Sequence, residues 1–355
     1  MTNTNMRPRR ICLLRLSAIG DCCHALALVR TLQQALPDAE LTWVIGATEA
    51  RLLQGLEGVE LLVYDKHNRA AQAEFGAALR RREFDVLLNL HASWRANRVS
   101  RWIRAPRKIG FDRARARDAQ WLFTNESVAP QHQPHVLDGF FAFAERLGVT
   151  ERHYRWQLPL APTDYALADA LLQDDAPTIL ISPCSSERAH NFRNWPAEQF
   201  AALARYAAET YGARTFISGT GTALELEYAE TIAAAVPDHV QDLVGKTSLK
   251  QLAALIERAD VVVAPDSGPV HIATAVGTPV IGLYATSNPR RTGPSIDADY
   301  TVNVYPQALQ QFLDKTEDEV RWGQRVRHAE ALSLISLTAV KAALDRVFSE
   351  RPTRP

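Results

Sequence analysis

The chain has 355 residues, 46% of them hydrophobic, and its 40 basic side chains are balanced by 40 acidic ones. That length suits about two domains of ~100–200 residues each, and the zero formal charge argues against a nucleic-acid partner. Cys12, Cys22, Cys23 and Cys184 show no C-x-x-C spacing and read as reduced, buried thiols of a reducing compartment. The polar, basic start MTNTNMRPRR leads into a short apolar run broken by Arg15. Neither a signal peptide nor a membrane span fits that pattern, so the expected location is cytoplasmic.

Arg10 to Leu16 (RICLLRL) reads as the first strand. Ser17, Ala18, Ile19, Gly20 and Asp21 form a turn that opens a helix running to about Leu36, ahead of Pro37. On local grounds Asp21 reads as a helix N-cap. Leu41–Ile45, Val59–Tyr64 and Phe84–Leu90 are further strands with helical segments between them, and Lys108–Phe111 is a short one. Strands alternating with helices imply parallel βαβ units.

The segment Arg95–Arg117 is strongly basic, and Arg95, Arg98, Arg101 and Arg104 recur every third residue. Such spacing keeps them on one helix face for about two turns. Two readings stand side by side, a solvated helix face and a cradle for an anionic partner. Trp94, Trp102 and Trp121 lie nearby as core or as stacking surface.

His135–Leu147 reads as a helix, and the proline-bearing stretch Gly148–Pro177 as the connection between domains. A second α/β series follows. Thr178–Ser182 is a strand, Pro183 to Asn194 a polar loop, and Trp195-Pro196 enters a helix ending near Tyr211. Ala213–Ser218 is a strand, Gly219-Thr220-Gly221-Thr222 a glycine-rich turn, and Glu225–Ala235 a helix. Leu224 stands where a dinucleotide fingerprint needs its third glycine, so this turn does not read as an NAD site. No Walker A or H-E-x-x-H sequence occurs, and Asp297-Ala298-Asp299 reads as a chance acidic triplet in a polar loop. Leu332–Phe348 is a closing amphipathic helix.

The most informative stretch is Ala259–Pro294. The β-branched run Val261–Ala264 reads as a buried parallel strand, then come the turn formers Pro265 to Pro269, a short helix from His271 to Val276, Gly277, and a strand from Pro279 to Tyr284. Its polar residues therefore fall at the carboxyl end of a strand, where open α/β sheets bind ligands. The free amides of the new helix add an anion site. Asp266 and Ser267 also suit plain helix capping. A Ser-His-Asp hydrolase fits poorly, because Ser267 lacks the G-x-S-x-G elbow and three triad members would be crowded into six residues.

The opening Ser17–Asp21, the motif Asp266–His271 and the loop ending Arg193-Asn194-Trp195-Pro196 together resemble the glycosyltransferase family 9 heptosyltransferases of bacterial lipopolysaccharide synthesis. The resemblance runs from Ile11 to about Pro294. It implies a GT-B fold, two Rossmann-like domains with parallel sheets facing across a cleft. Their expected limits are 1–170 for acceptor binding and 171–330 for the ADP-sugar, with a 331–355 helix returning to the N-terminal domain. It implies inverting, metal-independent transfer of heptose from ADP-L-glycero-D-manno-heptose, with no cofactor, and peripheral contact with the inner membrane. Asp21 matches the family's base. Ser17, Gly20, Asp266, Ser267, Gly268 and His271 match its donor-binding positions, and Glu225 falls near its ribose-contacting glutamate. Arg193 stands where the family usually has lysine, which changes a point cation into a planar fork. Ala18 replaces a frequent serine.

The R-L-S-x-x-G-D opening most resembles the enzyme adding the first heptose to Kdo, which implies Kdo-lipid A as acceptor and Arg95 and Arg117 as its anion-binding residues. The alternatives are a later heptosyltransferase, a related transferase with another sugar nucleotide, and a non-catalytic sugar-nucleotide-binding protein.

Overall fold

The computed structural model describes residues 7–185 and 191–350; residues 186–190 of the expected polar loop lie outside them. The chain divides into two compact units, Met1–Pro159 and Leu160–Pro355.

The first unit runs β1 (Arg10–Leu14), α1 (Ile19–Ala35), β2 (Glu40–Gly46), α2 (Ala47–Leu53), β3 (Val59–Tyr64), α3 (Arg69–Arg80), β4 (Val86–Asn89), α4 (Trp94–Ser100), β5 (Arg107–Gly110), β6 (Glu126–Ser127) and α5 (Val136–Glu145). Its strands form one parallel sheet in the order β3-β2-β1-β4-β5-β6. Ile11 to Leu14 are fully buried, because a central parallel strand is covered on both faces. Right-handed crossovers send α1 and α2 to one face of this sheet and α3 and α4 to the other. Accordingly, Cys12, Leu14 and Leu87 pack with Leu79 of α3 and with Ala96 and Val99 of α4, while α1 packs on α5.

The second unit runs α6 (Pro162–Leu171), β7 (Thr178–Ile181), α7 (Ala197–Tyr211), β8 (Arg214–Ile217), α8 (Ala223–Ala235), β9 (Val240–Asp242), α9 (Leu249–Arg258), β10 (Val261–Pro265), α10 (Gly268–Val276), β11 (Val280–Tyr284), α11 (Pro289–Thr292), β12 (Val302–Asn303), α12 (Tyr305–Leu313) and α13 (Leu337–Glu350). Its sheet is also parallel, in the order β12-β11-β10-β7-β8-β9. Counted from its own first strand, that order repeats the order of the first unit. Each sheet thus has a switch point, between β1 and β4 and between β7 and β10, where ligands of doubly wound folds bind.

Two expectations about organisation change. The proline-bearing connection contains a helix, α6, with Pro162 in its first turn and Asp164 accepting from the Ala161 N–H at 2.8 Å. Proline is favoured at that position. Helix α6 packs on α9 and belongs to the second unit, so the division falls at Pro159/Leu160 rather than at 170. Helix α13, expected to return to the N-terminal domain, packs on α7 and buries Val340, Leu344 and Val347 in the second core. The Trp195 indole donates to the Ile335 carbonyl at 3.0 Å and ties the approach of α13 to the start of α7. Among the described residues no helix is long and apolar enough to cross a membrane.

Candidate active site

In the first unit the chain leaves β1 through Arg15, Leu16 and Ser17 and enters α1. The N-cap is Ala18, which has no side-chain acceptor, and Asp21 is the third helical residue. The N-cap reading of Asp21 is therefore corrected by three positions. Its carboxylate accepts from the Ala18 N–H at 3.3 Å and forms an ion pair with the Arg15 guanidinium. The two contacts fix the orientation of the carboxylate at the opening of α1. Ser17 is half-buried and Gly20 is buried in the first turn of α1.

Arg15 organises this corner. It donates to the Leu90 carbonyl at 2.6 Å and lies 5.4 Å from the Phe140 ring centroid. From the end of β4, His91 accepts the Leu16 N–H on Nδ1 at 3.2 Å. Burial pushes the His91 imidazole down to about 3, helped by the Arg15 and Arg95 cations and opposed by Asp21. A neutral imidazole, an arginine and a carboxylate thus converge at the first switch point. Sequence reading missed Arg15 and His91 as site residues. Their signals were a lone cation in the apolar run RICLLRL and a histidine just past the strand FDVLLNL.

In the second unit Asp266 ends β10's exit, and its buried carboxylate accepts from Ser287 Oγ at 2.7 Å and from Arg193 Nη1 at 3.2 Å. Arg193 Nη1 also donates to the Asp266 carbonyl at 2.6 Å, and Nε donates to Asn191 Oδ1 at 2.7 Å. Asn194 holds the loop after β7 in turn, accepting from the Ser185 N–H at 2.9 Å and Oγ at 3.1 Å. The planar fork of Arg193 spans partners that a single ammonium could not hold together. The structure therefore brings Arg193 and Asp266 together across the second switch point. Ser267 is the N-cap of α10, yet its side chain makes no capping bond, and its buried Oγ has no partner among the described residues. Simple capping thus explains neither Asp266 nor Ser267. Gly268 starts α10, and His271 is buried one turn further on.

Glu225 has a specific local task. Its Oε2 accepts from the N–H groups of Thr220, Gly221 and Thr222, each at 2.9 Å, and from the hydroxyls of Thr220 and Thr222 at 2.8 and 3.0 Å. Desolvation acts to raise its pKa, but the Thr222 and Thr220 bonds prevail and hold it below the usual carboxylate range. The amides that would cradle a phosphate in a glycine-rich turn are thus filled by the chain's own carboxylate. Gly221, at φ +98°, lies so near Gly245 that a Cβ would meet its Cα at 3.4 Å.

The arginine-rich segment divides by role. Arg104 pairs with Glu83, Arg107 with Glu126 and Arg115 with Asp112, which is structural use. Arg113 stacks on the exposed Trp121 at 3.5 Å, while Trp102 packs against Phe75 and Tyr64. Arg95 and Arg117 are both exposed. The neighbouring residues Trp94 and Asp118 are joined by a 2.9 Å bond from the Trp94 N–H to Asp118 Oδ2, which ties the start of α4 to the loop that carries Arg117.

Residues 72–321 match the model for "Glycosyltransferase family 9 (heptosyltransferase)". The lipopolysaccharide core heptosyltransferase OpsX of Haemophilus influenzae is 40% identical over 334 residues, covering 94% of this chain and 95% of its own. Among solved structures, the family 9 glycosyltransferase of Veillonella parvula superposes with a TM-score of 0.77 at 22% identity, over 98% of this chain and 100% of its own. The Escherichia coli heptosyltransferase WaaC with ADP superposes with a TM-score of 0.72 at 21% identity, over 95% of this chain and 99% of its own. These likenesses in fold agree with two Rossmann-like units in a GT-B architecture. The chain thus belongs to glycosyltransferase family 9, the heptosyltransferase family, and is a glycosyltransferase.

Proposed function

We propose that this enzyme transfers heptose, with inversion and without a metal, from ADP-L-glycero-D-manno-heptose to the Kdo of the lipopolysaccharide inner core. The observation that carries the reading is the near full-length likeness to OpsX, whose name gives lipopolysaccharide core as its substrate class. The chemistry of both switch points agrees with it.

Inverting transfer is one displacement. The acceptor hydroxyl oxygen attacks the anomeric carbon, its proton passes to a base, and the bond to the ADP oxygen breaks. Asp21 is the base, oriented by Arg15 and the Ala18 N–H. Asp266 to His271 hold the donor, with the N-terminal amides of α10 and the Arg193 guanidinium facing the departing diphosphate. The Ser267 Oγ, without a partner among the described residues, supplies a further polar contact there. Ser17 and Gly20 shape the turn against the sugar, and Glu225 holds the turn beside the ribose by its Oε2 bonds. Arg95 and Arg117 bind the acceptor's carboxylates and phosphates. The enzyme works at the cytoplasmic side of the inner membrane, where that acceptor is exposed.

The test is incubation with ADP-heptose and a panel of defined acceptors, read by mass spectrometry. Kdo-lipid A should gain one heptose as ADP is released. Transfer only to acceptors already bearing heptose would assign a later step, and no transfer from ADP-heptose to any acceptor would overturn the reading.

A further inference from the structure

Helices α3 and α4 share one face of the first sheet, and between them lies a groove of about 330 Å³ lined by Arg80, Arg98, Arg101 and Trp102. Arg98 and Arg101 stand three residues apart, at the end of α4 and at its C-cap, so they project on the same side. Arg80 closes α3. The Trp102 indole is wedged in place: its ring centroid is 6.5 Å from those of both Tyr64 and Phe75, and a Cβ on Gly76 would meet it at 2.9 Å. The Arg80 guanidinium carbon lies 5.8 Å from the indole centroid.

Neighbouring arginines that serve the fold have acidic partners: Arg82 pairs with Glu60, Arg104 with Glu83 and Arg107 with Glu126. Arg80, Arg98 and Arg101 are exposed and have no ion-pair partner among the described residues. Three like charges around one groove repel each other, and a bound anion relieves that repulsion. Guanidinium forks match phosphate oxygens with paired hydrogen bonds.

We propose that this groove is a binding site for a phosphate-class oxyanion, a phosphate ester or diphosphate, gripped by Arg98 and Arg101 with the Arg80–Trp102 stack as its wall. It adjoins the Arg95–Arg117 surface without including it: the lining is Arg80, Arg98, Arg101 and Trp102, and Arg101 lies about 9 Å along α4 from Arg95 at 1.5 Å per residue. The oxyanion comes from a soluble phosphate compound or from a phospholipid headgroup.

Two probes distinguish these sources on the intact chain. Inorganic pyrophosphate is titrated by calorimetry. Vesicles of phosphatidylglycerol in phosphatidylcholine are compared by flotation with vesicles of phosphatidylcholine alone. The readout is the difference between wild type and variants, so an anion held elsewhere cancels. Arg98→Ala and Arg101→Ala should each weaken the binding probe by at least about tenfold, the scale of one charge-assisted hydrogen bond. Arg98→Lys should lose less, and melting temperatures should stay at the wild-type value. Loss of pyrophosphate binding in the variants assigns a soluble phosphate; loss of phosphatidylglycerol-vesicle binding alone assigns the headgroup. Absence of binding by either probe, or wild-type affinity in a folded Arg98→Ala/Arg101→Ala protein, overturns the proposal.

Discussion

Replacing Asp21 with asparagine separates a base from a brace. The asparagine keeps an oxygen for the Ala18 N–H but removes the charge opposite Arg15. The Asp21 side chain is 31% exposed and that of Arg15 11%, so the pair stands between two limits. Exposed pairs contribute about 0–1 kcal/mol, and removing one partner of a buried pair costs about 3–5 kcal/mol. Solvent screening at Asp21 moves the expected cost toward the lower limit, to about 1–2 kcal/mol, or roughly 2–8 °C in melting temperature. Loss of general-base catalysis should lower kcat by about 10²–10⁴. Both quantities therefore fall in Asp21→Asn, and one variant alone does not separate them. Arg15→Gln supplies the control, because it breaks the same ion pair and leaves the carboxylate in place. Arg15→Gln should lose at least as much stability, because it also gives up the Leu90 carbonyl and the Phe140 contact, while kcat, followed by ADP release, falls far more in Asp21→Asn. Calorimetric affinity for ADP should match wild type in both. A near-wild-type kcat in Asp21→Asn, or equal kcat losses in the two variants, would refute the assignment.

Arg193→Ala removes three hydrogen bonds and leaves the buried Asp266 carboxylate with Ser287; ADP affinity should drop at least about tenfold by calorimetry, and Arg193→Lys should fall between, since one ammonium cannot replace the fork. Wild-type ADP affinity in Arg193→Ala would exclude a role at the diphosphate. Arg95→Ala and Arg117→Ala should raise the acceptor KM and leave ADP affinity alone. The wild-type acceptor KM should climb with salt, because exposed charges are screened over about 10 Å at 0.1 M; a salt-insensitive KM would indicate a solvated face. His91 is pushed from 6.5 down to about 3 in the folded chain, so the unfolded chain binds more protons between those values. Stability is then full above about 6.5 and declines as pH falls toward 3, by up to about 1.4 kcal/mol per pH unit from this one group. His91→Gln should flatten that part of the melting-temperature profile, and an unchanged acid slope would show that other groups carry it.

The strands that sequence reading located best were the buried central ones. Ile11–Leu14 and Val261–Ala264 are unbroken apolar runs because helices cover both faces of their sheets. The edge strands β9 and β12 escaped notice, since three and two residues carry no periodic signal. Helix α6 was hidden because its proline reads as a breaker until the first turn around it is known to be helical. Among the candidate site residues, Asp21, Arg193 and Asp266 were singled out through motifs on single loops. Their partners were not. Arg15 pairs with Asp21 only because the strand exit folds back toward α1, and His91 reaches Leu16 only because β4 lies beside β1. The 73-residue separation of Arg193 and Asp266 closes only once β7 and β10 are neighbours. Contacts of that kind depend on strand order, which local pattern does not encode.

Strand order also explains why each switch point holds an arginine–aspartate pair. Arg15 and Asp21 flank the exit of β1, and Arg193 and Asp266 meet between β7 and β10. Side-chain exposure at the second pair is 14% and 9%, low enough for desolvation to offset most of the Coulomb attraction. Apolar residues of similar volume would stabilise this second corner about as well, so stability alone does not account for its two charges. The proposed function does: under it Asp21 accepts the acceptor's proton with Arg15 positioning it, and Arg193 faces the departing diphosphate with Asp266, through its carboxylate and carbonyl, positioning it. On that reading the acting residue of the pair is the aspartate in the first repeat of the fold and the arginine in the second.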